Sequence, residues 1–426
     1  QYDAVRRLLR QPVGLILGSP GTGKTRSAAR VIAAQARRFG LNAIQVAAPT
    51  GRAATRITAA LHQHGVRLEA TTIHRLLEAR PGGQGGFHFR RNARNPLDCR
   101  VLVVDELSML PVGLAANLFR ALVPGTLLLF VGDKHQLPPV GHGAPLRDMI
   151  TAGVPAAELT EIHRNAGAIV AACQKAKDGL PFEVHAVFSR EQGRNLLHVP
   201  ASREELIEAT RGVVGRLMQQ EGFDPLRDLQ VICATNDTRK RLNEALRDLC
   251  NPEGLAVLKG QPGGRFRVND KIINTRNRFC SPALGGDELV FVSNGDIGIV
   301  RATAGRSLTA HFDDPARTVR LPLGKPRRRD EGEAEGEEDP GGDLDQAWSI
   351  TGHRAQGGQA PVVVIVIESD GWRVAGREWW YTSLSRAQDL CILVGDLGQV
   401  HAMCQRVHLR RRKTFLAELI KEQLLS

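Results

Sequence analysis

Residues 18 to 25 read Gly18-Ser-Pro-Gly-Thr-Gly-Lys24-Thr25, glycines followed by a lysine and a hydroxyl. This is the phosphate-cradling pattern G-x-x-x-x-G-K-[ST], provided that a strand precedes it and a helix follows. Glycines let the backbone curl until successive N–H groups point at phosphate oxygens, and the helix N-terminus adds a favourable dipole. Gly21, Thr22 and Gly23 form the cradle, Lys24 reaches the β- and γ-phosphates, and Thr25 ligates Mg2+. Asp105-Glu106 closes the apolar run VLVVDE. A strand-end aspartate of this kind holds Mg2+, and the adjacent glutamate is placed to accept a proton from an attacking water. Gln136, in LFVGDKHQLPPV, offers a neutral side chain that senses the γ-phosphate or positions its water. Arg164 (ELTEIHRN) and Arg386 (YTSLSRAQ) complete the set. Phosphoryl transfer spreads negative charge over the γ-oxygens, and an arginine finger contributes roughly 10³–10⁵ in rate. An arginine from a second domain makes the site a cleft that is complete only when both domains engage, which couples hydrolysis to domain motion.

These side chains need strand ends to stand on. Leu15–Leu17, Ala43–Ala47, Val101–Val104 and Leu127–Val131 are short β-type runs bounded by turn signals, and helical patterns such as Ser27–Phe39 follow them. That rhythm predicts an α/β fold, a parallel sheet with helices on both faces, over residues 1–165. The Gly-rich segment 80–97, with Phe87 and Phe89 alternating amid arginines, reads as a small β-hairpin, the alternative being a surface loop. A second α/β rhythm starts with the strand Gln230–Ala234 and the helix Thr238–Leu249. Short strands interrupt it over 264–345 (Lys271–Asn274, Glu288–Ser293, Gly298–Arg301, Leu308–Phe312, Thr318–Leu321), which suggests an inserted β-barrel. The parallel pattern resumes with Val362–Ile367 and Cys391–Val394. The second unit is therefore expected to comprise 166–263 and 346–426.

Composition narrows the class. The chain has 426 residues, 42% hydrophobic and 24% charged, and its longest aliphatic run is six residues, far short of the ~20 that a membrane helix requires. No secretory leader pattern opens it, although it begins at Gln1 and an upstream segment would escape this reading. The seven cysteines (Cys99, Cys173, Cys233, Cys250, Cys280, Cys391, Cys404) are scattered without a C-x-x-C pair, which supports neither zinc nor a disulfide framework and fits a reducing, cytoplasmic setting. The net charge is +12, but window 326–345 holds three Arg against nine Asp or Glu. The remainder carries +18, so a polyanionic partner is expected, a solvated basic surface being the alternative. The acidic window itself reads as a mobile loop.

In order along the chain, the motifs resemble the RecD-like branch of the superfamily 1B DNA helicases. Gln1-Tyr-Asp-Ala4 resembles an adenine-recognising Q motif, and APTGRAA (48–54) and TTIHRLL (71–77) resemble strand-contacting motifs. DELSM (105–109), VGDKHQLPPV (131–140), LTEIHRN (159–165), NDKIINTRN (269–277), SNGDIG (293–298), AWSITGHRAQGGQ (347–359) and WYTSLSRA (380–387) continue the series. The resemblance implies two tandem RecA-like P-loop domains, a β-hairpin insert in the first and an SH3-like barrel in the second. It also implies ATP- and Mg2+-driven translocation on single-stranded DNA with 5′→3′ polarity, unwinding duplex at junctions. By the same resemblance, Gln1 and Gln359 contact the nucleotide, while Pro49, Thr50, Arg52, Thr72, His74, Arg75, Thr351 and His353 line the strand-binding groove. Hydroxyl, imidazole and guanidinium groups suit phosphate contacts, which set register without reading sequence.

The chain departs from the family in reading Arg354-Ala-Gln-Gly-Gly-Gln359 where Lys-Ser-Gln-Gly-Ser-Glu is usual, so position 359 keeps an acceptor but loses a charge. Trp379 and Trp380 replace aliphatic residues and read as strand-core residues, with base stacking as the alternative. Two other functions remain compatible with these motifs: an RNA helicase or remodeller, and a motor-like DNA-binding subunit of a larger nuclease or relaxase.

Overall fold

The computed structural model describes all residues except 1, 9, 82–86, 162–166, 254–265, 287–288, 305–306, 314, 323–342, 409–411, 413 and 426. The first lobe opens with β1 (Val13–Gly18), β2 (Ile44–Ala48) and β3 (Thr71–Thr72). A short antiparallel hairpin, β4 (Ala79–Pro81) with β5 (Phe87–Phe89), follows, and the chain returns to the sheet as β6 (Val101–Val104), β7 (Leu127–Gly132) and β8 (Ala156–Leu159). The sheet order is β3-β2-β6-β7-β1-β8, every pairing parallel. Both faces are covered, which is why β1 reads as an unbroken apolar run. Its side chains alternate between two cores, Ile16 on one face and Leu15 with Leu17 on the other.

The second lobe repeats the plan. Its elements begin with β9 (Leu196–Val199) and β10 (Leu229–Cys233). Next come β11 (Lys271–Asn274), β12 (Arg278–Pro282), β13 (Val290–Val292), β14 (Ile297–Ala304), β15 (Ser307–Phe312), β16 (Arg317–Pro322) and β17 (Leu344–Gln346). The lobe finishes with β18 (Ser349–Thr351), β19 (Ala360–Val366) and β20 (Ala387–Val394). The order β18-β10-β19-β20-β9 is again wholly parallel. In β19, Val363 and Ile365 enter one core while Val362, Val364 and Val366 enter the other. The inserted strands form a seven-stranded antiparallel sheet, β13-β12-β16-β15-β14-β11-β17, around its own core of Phe266, Phe312, Leu321 and neighbours.

Two expectations change. Trp379 and Trp380 are core residues, each 1% exposed, but they sit on the helix Arg377–Leu384 and not on a strand, so they offer no surface for stacking bases. The expected acidic loop lies outside the described residues up to 342, and its last part is the strand β17, which pairs with β11. Beyond the second sheet the chain crosses back. The helix Leu416–Leu425 packs on Pro145–Thr151 of the first lobe, with Ile420 against that lobe's core. Arg412 Nη1 donates to the carbonyls of Gly141 (2.7 Å) and Gly143 (2.9 Å). No helix among the described residues is long and apolar enough to cross a membrane.

Candidate active site

The loop after β1 curls as its glycines allow. Gly21 (φ 83°) and Gly23 (φ 77°) occupy the left-handed region, and Gly23 caps the helix Lys24–Phe39. Thr22 Oγ1 donates to Ser19 O at 2.7 Å and tightens the turn. Lys24 Nζ donates to the carbonyls of Gly18 (2.6 Å) and Ser19 (3.1 Å) and lies 3.7 Å from Asp133 Oδ2. Thr25 Oγ1 donates to Asp105 Oδ2 at 3.5 Å, so hydroxyl and carboxylate converge at the end of β6. Oxygen donors of this type suit Mg2+.

Asp105 and Glu106 are 2% and 4% exposed. Burial, and then the charge of Glu106, push Asp105 up to about 6. Burial acts on Glu106 in the same sense, but the Arg56 guanidinium, with Arg386 and Lys24 beyond, more than offsets it and holds that carboxyl below its usual range. Arg56 makes an ion pair with Glu106 directly. Glu106 also has φ 54°, a left-handed conformation that costs a non-glycine residue on the order of 1–3 kcal/mol and tends to mark functional positions. Among the described residues, Glu106 Oε2 and Gln136 Oε1 are buried acceptors with no hydrogen-bond partner. Orphaned acceptors at a strand mouth call for a donor from a ligand or water. With the glycine cradle and the Thr25–Asp105 pair, these groups fit a Mg2+–nucleoside triphosphate and the water that attacks it.

The lobes meet on the segment that carries Gln136. Gln136 Nε2 donates to Asp133 Oδ2 at 3.5 Å. From the second lobe, Tyr381 Oη donates to the same carboxylate oxygen at 2.7 Å, and Gln356 Nε2 donates to Leu137 O at 2.8 Å. In return Leu137 N donates to Thr382 Oγ1 at 2.8 Å. Arg386, 3% exposed, is held by Thr382 O (2.9 Å), Gly358 O (3.1 Å) and Ser385 Oγ (2.8 Å). Burial lowers its pKa and the facing Glu106 draws it back up. The structure therefore brings Lys24, Thr25, Asp105, Glu106, Gln136 and Arg386 to one cleft. Gln359 stands on its rim, its Oε1 3.5 Å from Gln388 Nε2. Gln1 and Arg164 lie outside the described residues.

The groove residues fall at strand ends. Pro49 and Thr50 follow β2 and Thr72 ends β3, its parallel neighbour. Thr50 Oγ1 accepts from Ala53 N (3.3 Å) and caps the helix Gly51–Gln63; Thr72 Oγ1 accepts from Arg75 N (3.2 Å). Each hydroxyl, used there as an acceptor, still carries a proton that it can donate. Arg52 is half-buried and Arg75 exposed. Thr351 ends β18 in the second lobe, and the half-buried His353 follows it, its pKa lowered by burial and then by Arg412 and His408. His74 turns inward. Its ring stacks on Phe291 of the inserted sheet (5.6 Å between centroids, 27° between planes) and meets Phe87 and Phe89 of the hairpin at 5.4 and 6.0 Å. Its Nε2 lies 3.3 Å from Asn277 Nδ2.

Sequence reasoning missed Arg56, Asp133 and Tyr381. Arg56 had a signal, since it lies four residues after Arg52 on one helix face. Asp133 and Tyr381 stood inside motifs quoted whole, with nothing to pair them across 248 residues.

A profile of the AAA domain family matches residues 1–142, and one of the UvrD-like helicase C-terminal domain matches 346–394. The chain is 30% identical to the RecBCD enzyme subunit RecD of Mycolicibacterium smegmatis, over 96% of this chain and 73% of that one. The chain belongs to the RecD-like family of superfamily 1 helicases. This RecD-like chain is also 28% identical to the ATP-dependent RecD2 DNA helicase of Deinococcus radiodurans, over 99% of its own length and 52% of the relative's, so it spans about half of that protein. A solved structure of a Bacteroides Pif1 helicase, in complex with ADP-AlF3 and single-stranded DNA, has the same fold (TM-score 0.53, 16% identity, 99% of this chain and 96% of that one). The two parallel sheets of the RecD-like chain are thus a pair of RecA-like domains.

Proposed function

We propose that this chain is an ATP-dependent DNA helicase that moves 5′→3′ on single-stranded DNA and separates the duplex ahead of it. The observation that carries the reading is one cleft with Lys24, Asp105 and Glu106 on one wall and the buried Arg386 on the other. Family membership supports it. Thr25 and Asp105 would hold Mg2+, which when bound neutralises phosphate charge and draws the phosphate oxygens into line. Lys24 leaves the carbonyls of Gly18 and Ser19 for a phosphate, a stronger, charge-assisted partner. Glu106 accepts the proton of the attacking water, Gln136 Oε1 orients that water, and Arg386 stabilises the charge that develops on the γ-oxygens. Gln1 and Gln359 would contact base and ribose, and Arg164 would add a second cation.

On this reading residues 1–165 form the first motor domain and 166–263 with 346–426 the second. The inserted sheet, 264–345, is an SH3-like barrel, and the hairpin near 80–97 is the wedge at the duplex junction. Pro49, Thr50, Arg52, Thr72, Arg75, Thr351 and His353 hold strand phosphates, while His74 ties the wedge to the barrel. That the relative from Mycolicibacterium smegmatis is a RecBCD enzyme subunit favours a second reading in which the chain serves as motor subunit of a larger assembly. A strand-displacement assay with 5′-tailed and 3′-tailed duplexes tests the first. Displacement of the 5′-tailed substrate alone, and only with ATP, is expected. Displacement of neither substrate refutes helicase action by the isolated chain, and displacement from the 3′ tail refutes the polarity.

A further inference from the structure

Beside the proposed catalytic carboxylates three parts of the molecule line an open-mouthed cavity of about 360 Å³, bordered also by Gln359 on the cleft rim. The helix Gly51–Gln63 contributes Arg52 and Arg56, the second lobe Arg227 and Arg386, and the inserted sheet Lys271. Against these five cations, Asp313 is the single lining carboxylate among the described residues, and its side chain is 57% exposed. Arg56 is already paired with Glu106. Lys271 is the unusual member. It is 5% exposed, its Nζ donates to Leu229 O at 2.6 Å, and among the described residues no carboxylate lies within ion-pair distance of it. Burial, and then the charge of Arg52, push its ammonium down to about 7, against the opposing influence of Cys250, Asp224 and Asp228. An ammonium taken out of water without a counter-charge costs several kcal/mol. Cations that converge on a void are stabilised when an anion fills it.

The void lies next to the reaction. Arg56 and Arg386, which line it, are also the cations whose fields act on Glu106, the proposed proton acceptor. We propose that this cavity binds a phosphate oxyanion and receives the orthophosphate that hydrolysis releases, before that ion reaches solvent. The inference rests on the hydrolytic reading for the origin of the ion, and not for the existence of the site. A tetrahedral oxyanion offers acceptors to both guanidinium and ammonium groups, and charge-assisted bonds of this kind are the strong ones. A DNA backbone phosphate shares that chemistry, so the test must separate the two sources.

Orthophosphate binding to the nucleotide-free full chain is measured by titration calorimetry, in wild type and in Lys271→Met, which removes the charge and keeps the volume. Affinity for orthophosphate is expected to fall about tenfold, the size of one lost charge-assisted contact. In steady-state assays, product inhibition by orthophosphate is expected to weaken by the same factor, with the KM for ATP and the affinity for single-stranded DNA unchanged. Arg227→Gln, on the exposed rim, carries the same expectation and stands in if Lys271→Met does not fold. Equal orthophosphate affinity in wild type and variants overturns the proposal. So does a loss of DNA affinity with orthophosphate binding intact, which would assign the cavity to a backbone phosphate. Because the titration needs no ATP, a chain that binds orthophosphate but hydrolyses nothing would refute the motor reading and leave the site standing.

Discussion

Tyr381 Oη of the second lobe donates to Asp133 Oδ2 of the first at 2.7 Å, and the same oxygen lies 3.7 Å from Lys24 Nζ. One carboxylate thus answers both to the lysine of the glycine-rich loop and to the neighbouring lobe. On the proposed mechanism Lys24 turns to a phosphate, and Asp133 then leans more heavily on the tyrosine hydroxyl. Tyr381→Phe keeps the ring in its core and removes only that hydroxyl. DNA-stimulated kcat is expected to fall roughly fivefold with KM for ATP nearly unchanged, since a loss of about 1 kcal/mol of coupling falls on turnover and not on binding. A rise in KM with kcat intact would place Tyr381 outside the coupling.

Arg386 is fully engaged with its own lobe, through Thr382 O, Gly358 O and Ser385 Oγ. Arg386→Lys keeps the charge but cannot reproduce the planar fork. Turnover is expected to drop by roughly 10³, the lower end for an arginine finger, with binding of a fluorescent nucleotide analogue changed only slightly. Lys24→Ala should behave differently, losing both hydrolysis and nucleotide affinity while still binding single-stranded DNA. Parallel nucleotide titrations of the two variants distinguish them; equal nucleotide loss in both would contradict the separate roles.

His74 carries a pH dependence whose sign is fixed by its surroundings. Burial pushes its pKa down from 6.5 to about 4, so between those values the unfolded chain takes up a proton that the folded chain refuses. Its contribution to stability is therefore present above pH 6.5 and fades as pH falls toward 4, by at most about 1.4 kcal/mol per pH unit. His74→Phe retains a ring against Phe87, Phe89 and Phe291 and cannot titrate. Denaturant unfolding from pH 7 to pH 4.5 should show the variant gaining on wild type as acidity rises. A difference that does not vary with pH would contradict the assignment.

Arg75 is exposed, follows the helix cap at Thr72, and is expected to hold a strand phosphate. A cation that holds one backbone phosphate contributes about 0.7 to the slope of log K against log salt for a single strand. Arg75→Ala should lower that slope by this amount and weaken binding uniformly across sequences. Fluorescence anisotropy over a salt series measures it, and an unchanged slope removes Arg75 from the groove.

Much of this was legible in the residue string because the phosphate loop, the strand-end carboxylates and the buried parallel strands are local patterns. β1 and β19 announced themselves as apolar runs, and the glycines at 21 and 23 announced a curl that only positive φ permits. Pairings between distant residues were not legible. Nothing near Glu106 names Arg56 as its partner, and nothing near Asp133 names Tyr381. Trp379 and Trp380 read as core residues of a strand and are core residues of a helix, because a bulky apolar pair fits a short helix as well as a strand. β12, β17 and β18 went unseen for a similar reason, being short and carrying polar residues whose partners come from elsewhere.

The return of the chain to the first lobe has a mechanical consequence. After the second sheet, Arg412 and the helix Leu416–Leu425 attach to the region around Pro145–Thr151, so the lobes are joined covalently after β8 and strapped together again near the chain's end. A body pinned at two separate points keeps rotation about the line through the pins and loses its other freedoms. Such a tether favours a hinge over a slide, and a distance probe across the cleft would register the whole working stroke as one coordinate.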